Sequence, residues 1–312
     1  MGVVNIKSSQ SREHRTMNEA GYHRCWYPVC LASDLETGAL VGRDILGTRV
    51  VVYRDPAGKP VVQSAWCPHL GADLSVGQIV EGKVRCPYHH WSFGADGACT
   101  HIPAGDKIPS AAKIFTYPAA EAWGLIWAFN GETADVPVPR IPGATEDTIV
   151  FEAAAREPRP FDGWVAVSNG VDFQHLRTLH GLPNAVIPDE IAVDAGGIEF
   201  RMENAFYLQH GRISGTSVFA QHLRLGGKDT YMLFCGAPIE PGWTSGLSVA
   251  GVPKGEEARL PEVRAWMEKL NEEDQPVLRS MRFRRGLLTA SDRHLGRYFK
   301  YVEEFPTFLP PA

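Results

Sequence analysis

The chain has 312 residues, enough for two domains of ordinary size with separate cores. Apolar residues make up 44% and charged residues 21%, close to the average for a soluble globular protein. The net charge of −5, the lack of a long basic run and the lack of any apolar stretch near the ~20 residues of a membrane helix argue against nucleic acid, an anionic membrane surface and a bilayer span.

Residues 1–24 read as a polar lead-in. MGVVNIKSSQSREHR has no apolar core followed by a small-residue cleavage site, so no secretory signal is expected. Gly2 suggests myristoylation, but Ile6 stands where Ser or Thr is wanted, and Met17 is an alternative start. A cytoplasmic location is the expectation. Cys25, Cys30, Cys67, Cys86, Cys99 and Cys235 are too few for a disulfide scaffold, and cysteines close to histidines suggest metal instead.

From Trp26 to Phe129 the pattern is short strands separated by turn signals. VVVYRD and PVVQSAW flank Asp55-Pro-Ala-Gly58 and predict a hairpin. FTYPAAEAWGLIWAFNG alternates aromatic and small residues towards a turn at Asn130-Gly131. This half, residues 25–140, reads as an antiparallel β-domain. The Pro-rich VPVPRIPG at 136–143 has the composition of an extended linker and marks the boundary. In residues 141–312, PFDGWVAVSNGVDFQHLRTLHGLP is helical in pattern. Strands are expected at IEFRMENAFYLQ, ISGTSVFAQHLRL, DTYMLFCGAPI and GLSVAGVP, and a closing helix at PEVRAWMEKLNEEDQPVLRSMRF. Strands bracketed by helices make the second half, and the whole chain, α+β.

Two segments carry the chemistry of the β-domain: Cys67-Pro-His69 and Cys86-Pro-Tyr-His89. Each offers one thiolate and one imidazole, which together can hold a [2Fe–2S] cluster with sulfur on one iron and nitrogen on the other. A structural zinc is the alternative, but zinc fingers usually pair Cys with Cys and His with His. CPHLGADLSVG and CPYHHWSFGADGACTHIP resemble the paired loops of Rieske oxygenases, and the likeness continues from WYPVCLASDL through AWGLIWAF. Rieske proteins of bc-type complexes add a disulfide between the loops; Ala72 and Tyr88 stand at the matching positions, which favours the oxygenase type. The resemblance calls for Gly after the second histidine, where this chain has His90, read as a surface or hydrogen-bonding residue. Cys99 reads as a packed thiol.

The second half contains Asn169-Gly-Val-Asp172-Phe-Gln-His175-Leu-Arg-Thr-Leu-His180. Histidines five apart diverge on a regular helix, so a break or π-type turn is needed to bring both onto one metal. Asp172, one turn before His175, can hydrogen-bond that ring's second nitrogen. The pattern is similar to the iron motif of Rieske oxygenases; Arg177, between the histidines, suggests a particular substrate or interface. A facial triad also needs a carboxylate. Asp274 is chosen because NEEDQPVL resembles the family segment that supplies it. Asp274 also falls near an expected apolar stripe of Trp266, Leu270, Val277 and Met281. Glu272, Glu273 and Asp292 are rivals, and Pro276 makes the projection approximate.

The resemblance implies a cluster held by Cys67, His69, Cys86 and His89, and a mononuclear Fe(II) held by His175, His180 and Asp274. Asp172 and Asn169 of the motif are the expected catalytic residues. It further implies O2-dependent hydroxylation or demethylation of a small organic substrate, with NADH electrons arriving from a separate reductase, with or without a ferredoxin. No Gly-x-Gly-x-x-Gly fingerprint is present for binding NAD(P)H directly. A homotrimer is implied, in which His89 of one subunit meets Asp172 of the next. Phe206, Tyr207, Phe219, Phe234 and Trp243 are pocket candidates, or plain core. The competing classes are an electron carrier whose second domain only binds a partner, and a zinc-stabilised interaction protein.

Overall fold

The run Arg49-Val-Val-Val-Tyr53 organises the N-terminal half. It forms the strand Thr48–Arg54, in which Val50, Val51, Val52 and Tyr53 are all fully buried. Side chains alternate across a strand, so Val50 and Val52 enter one hydrophobic cluster with Tyr27 and Ile126. Val51 and Tyr53 enter another with Cys67 and Cys86. The computed structural model describes residues 21–36, 38–182, 187–205, 207–284 and 286–311. Residues 1–20, with Gly2, Ile6 and Met17, lie outside these, as does Phe206.

The central strand belongs to a four-stranded antiparallel sheet ordered 116–117, 60–64, 48–54 and 41–45. The expected hairpin is there: Arg54 faces Pro60, and Asp55 Oδ1 accepts the backbone N–H groups of Ala57 and Lys59. A second sheet, of strands 78–80, 83–85, 92–93 and 99–101, surrounds the Cys86 loop. A third orders 119–122, 125–129 and 26–31. Its hairpin turns earlier than the sequence pattern suggested, at Trp123-Gly124, whose φ values of +59° and +69° give the two-residue turn that suits strand twist. Asn130 is instead fully buried, and its Nδ2 donates to the carbonyls of Tyr22, His23 and Phe308. It thereby fastens the strand Tyr22–His23, within the supposed lead-in, to its antiparallel partner Thr307–Phe308 near the C-terminus.

The second half is a seven-stranded antiparallel sheet ordered 149–159, 243–253, 228–240, 218–225, 207–214, 197–203 and 192–194. Two expected strands straddled turns: the chain reverses between Glu203 and Tyr207 and again between Ser214 and Val218. Among the described residues, four α-helices accompany the sheet: α1 Gly163–Val167, α2 Phe173–Thr178, α3 Leu260–Ser280 and α4 Arg293–Glu304. One sheet face, with Met232 and Ala250, packs against Val263 and Met267 of α3 and Tyr298 and Phe299 of α4. The other, with Leu233 and Val249, packs against Trp26, Trp127 and Phe129 of the N-terminal half. Each half therefore keeps an apolar cluster of its own, and a further cluster is shared between them. The Pro-rich segment is pinned into it: Trp26 Nε1 donates to Val136 O at 2.9 Å and Trp123 Nε1 to Pro139 O at 3.0 Å. No helix among the described residues is long and apolar enough to cross a membrane.

Candidate metal centres

The two Cys/His loops are built alike. The N–H of Cys67 donates to Ala72 O and that of Gly71 to Cys67 O; likewise Cys86 N–H donates to Trp91 O and His90 N–H to Cys86 O. Each loop thus closes the same two hydrogen bonds at the same spacing. Inside this scaffold Cys67 and Cys86 are 3% and 1% exposed, whereas His69 and His89 are exposed. The thiols lie side by side, and burial above all pushes Cys67 up to about 11. The imidazole rings stand 4.7 Å apart, edge to face. Sulfur donors on the inner side and nitrogen donors on the outer side fit a [2Fe–2S] cluster with one iron of each kind. Trp91, which the sequence reading did not single out, stacks on His69 at 4.6 Å and 6°. Cys99 is a buried thiol of the surrounding core.

His90 occupies the position that Gly71 fills in the first loop. Their φ values are +59° and +74°, so the second loop places a β-carbon in the left-handed region. That conformation costs an L-residue roughly 1–2 kcal/mol, part of which a glycine recovers against its greater freedom when unfolded. His90→Gly is therefore expected to stabilise the protein by about 0.5–1 kcal/mol, read as a higher Tm with an unchanged iron content. A lower Tm would mean that the His90 side chain makes a contact worth more than the strain.

The other centre forms where the α1–α2 segment meets α3. Gly170, in the short 3₁₀ turn Ser168–Val171, lies so close to Phe219 that a β-carbon would sit 2.6 Å from its ring. The α2 helix stops at Thr178, and His180 N–H then bonds the carbonyl of His175, five residues back. This π-type closure brings the two rings within 5.0 Å, resolving the spacing problem of the motif. Asp172 acts differently from the expectation. Its carboxylate accepts from the backbone N–H of His175 as the cap of α2, and it is its backbone carbonyl that takes His175 Nδ1.

The α3 helix runs through Pro276, and its buried side is Val263, Met267 and Leu278. Val277 and Met281, two of the expected stripe, are 48% and 43% exposed. Asp274 follows Met267 by two turns and precedes Leu278 by one, so it points the way the buried stripe points. Its Oδ1 lies 3.3 Å from Nε2 of His180, a side chain only 3% exposed. The donor atoms of His175, His180 and Asp274 fall within 4.8 Å of one another. Two imidazoles and a carboxylate at this spacing fit a divalent ion of the two-histidine, one-carboxylate type. Of the rivals, Glu272 is exposed, and Asp292 is engaged in the Thr289 capping box before α4. Asn169 shares the cavity wall with the three donors.

Glu273 was read as a rival ligand or a solvated acid, but it hydrogen-bonds one of the three donor side chains instead. Its Oε2 takes Nδ1 of His180 at 2.8 Å, leaving Nε2 for the centre. Burial lowers the pKa of His180, but its hydrogen bonds to the Asp274 and Glu273 carboxylates outweigh it and the net shift is upward. Burial lowers that of His175 despite the Asp172 carbonyl. A sequence signal for Glu273 existed only in its adjacency to Asp274. Glu273→Ala is expected to weaken Fe(II) binding at this centre by about 10–100-fold while the cluster signal is kept. Equal affinity in an Fe(II) titration would remove Glu273 from the supporting role.

A cavity of ≈ 150 Å³ opens onto the three donors. Phe219 and Phe234, paired across neighbouring strands, line it. The other pocket candidates among the described residues do not: Tyr207 is core, with its hydroxyl on Gln209, and Trp243 is an exposed residue at a strand start. Arg177 is exposed on α2, away from the cavity wall.

Residues 25–118 match the Rieske [2Fe-2S] domain. The oxygenase component of 3-ketosteroid-9-alpha-monooxygenase from Rhodococcus rhodochrous is 34% identical over 174 residues, 52% of this chain and 42% of that protein. The oxygenase subunit of 3-chlorobenzoate-3,4-dioxygenase from Comamonas testosteroni is 30% identical over 178 residues, 53% and 40% of the two chains. These matches span less than half the length of either relative. In fold, the chain is similar to the Pseudomonas putida CBB5 NdmA QL mutant solved with theobromine, at a TM-score of 0.79 and 20% identity over 94% of this chain and 92% of that one. Both Cys/His loops thus lie inside a Rieske [2Fe-2S] domain, residues 25–118 of this chain, and the chain is similar to these oxygenases.

Proposed function

We propose that the chain is the oxygenase component of a non-heme iron monooxygenase that hydroxylates or oxidatively demethylates a small organic molecule, with electrons from a separate reductase. The observation that carries this reading is the convergence of His175, His180 and Asp274 on a cavity in a chain with a Rieske domain. An electron carrier has no use for such a triad. Relatives named as a monooxygenase component and as NdmA crystallised with theobromine or caffeine support a monooxygenase acting on a small molecule.

In this reading Cys67, His69, Cys86 and His89 hold the cluster, and His175, His180 and Asp274 hold the iron, in a domain running from 141 to the C-terminus. When bound, the cluster supplies single electrons, and the iron, with three protein ligands, leaves open positions for dioxygen beside the substrate. Glu273 and the Asp172 carbonyl occupy the Nδ1 atoms, so both rings are oriented before metal or substrate arrives. Phe219 and Phe234 give the substrate an apolar wall and keep bulk water from the reacting centre. The exposed His89 is free to approach Asp172 of a neighbouring copy in a trimer, in keeping with the coupling expected from the sequence.

Iron and acid-labile sulfide per chain, with an EPR spectrum of the dithionite-reduced protein, test the proposal. About three irons and two sulfides with a Rieske signal are expected. Only about two irons after reconstitution would favour an electron carrier, and zinc without sulfide would overturn both centres.

A further inference from the structure

Two arginines line the cavity, and they are not equivalent. Arg156, with 8% of its side chain exposed, is satisfied: Nη1 pairs with Glu268 at 3.0 Å and Nε donates to Ser248 at 3.1 Å. Arg159 ends the first strand of the large sheet and donates Nη1 to Asn271 Oδ1 at 2.5 Å. It forms no ion pair with any carboxylate among the described residues. Burial first, then the positive charges of Arg156 and Arg279, push its pKa down to about 10. Glu268 and Asp274 oppose that shift, but Glu268 already pairs with Arg156 and Asp274 is one of the three donors of the other centre.

A half-buried guanidinium is costly to leave unpaired, and its forked donors match a carboxylate. Its single neutral partner fixes its place relative to the reacting centre. Asn271 precedes Asp274 by one turn of α3, about 5 Å along the axis. The wall between is mainly apolar, including Phe219, Phe234, Leu247, Leu270 and Leu278. A ligand that satisfies this cavity has an anionic group at one end and a compact apolar body at the other.

We propose that Arg159 is the specificity residue for a small carboxylic acid substrate, whose carboxylate it pairs while the apolar body lies against Phe219 and Phe234 near His175, His180 and Asp274. The proposal rests on reading those three residues as the reacting centre. Arg159 itself touches the substrate without touching the donors.

The test compares acids with their own primary amides: benzoate against benzamide, 3-phenylpropanoate against its amide, and cyclohexanecarboxylate against its amide. Binding to the full-length, metal-loaded protein is measured by calorimetry, so turnover is not required. At least one acid is expected to bind about tenfold or more tightly than its amide. Arg159→Gln should abolish that preference, while Arg159→Lys should retain a weaker one. No acid preference in the unaltered protein, or a preference that survives in Arg159→Gln, would overturn the proposal. The unaltered comparison decides even if the variant fails to fold. Iron content and EPR on the same samples separate the two ideas: triad iron without acid preference sinks the anion subsite alone, whereas acid preference without triad iron keeps the subsite and sinks the oxygenase reading.

Discussion

Replacing Asp274 by alanine should lower the iron content from about three to about two per chain, keep the Rieske EPR signal and abolish substrate-dependent oxygen uptake. The two imidazoles alone lack the negative charge that balances a divalent ion. Nor, among the described residues, is another carboxylate placed to substitute. Glu273 is committed to Nδ1 of His180, with Lys269 3.7 Å from its other oxygen. Glu272→Ala, one residue further along an exposed face, should keep all of the iron and the activity. Full iron in Asp274→Ala, or loss in Glu272→Ala, would move the third ligand elsewhere. The retained cluster signal reports that the N-terminal half, and the core it shares with the large sheet, is still folded.

Much of this arrangement was legible because ligand chemistry constrains local spacing tightly. Cys-x-His and Cys-x-x-His lie in short loops whose geometry depends on a few backbone hydrogen bonds. The likeness between Gly71 and His90, by contrast, emerges only when those bonds are traced, because the residues share no side-chain chemistry. The π-type closure after α2 could be anticipated because five-residue spacing fails on a regular helix. Which atom of Asp172 would meet the ring could not: carboxylate and carbonyl belong to one residue, and the demand of the helix N-terminus for a cap decides between them.

The misses share a cause, which is that periodicity marks an apolar stripe but not its edge. Val277 and Met281 fit a helical stripe as well as Met267 and Leu278 do, yet the sheet covers only one side of α3. The early turn at Trp123-Gly124 was hidden because Trp rarely takes positive φ. The shared core was equally hidden: Trp26, Trp127 and Phe129 read as ordinary strand aromatics until the large sheet is laid against them. Glu273 and Arg159 depend on contacts made 93 and 112 residues away, beyond the reach of any local pattern.

Asp172→Asn is the sharper test of how the two centres cooperate. The carbonyl that holds His175 Nδ1 is untouched by the substitution, and asparagine caps a helix about as well as aspartate. Both centres should therefore keep their metals, and Tm should not move. What disappears is the negative charge that the proposed trimer would offer to His89 of a neighbouring copy. If the two centres are coupled through that contact, reductase-driven and substrate-dependent oxygen uptake should fall by about 100-fold or more. Asp172→Ala would confound the result, because losing the cap also costs about 1 kcal/mol of stability. Full activity in Asp172→Asn would leave Asp172 as a cap and a carbonyl only, and the electron route would have to cross by other residues. Loss of triad iron in the same variant would assign the carboxylate a role in positioning His175 that its observed contact with the backbone N–H does not require.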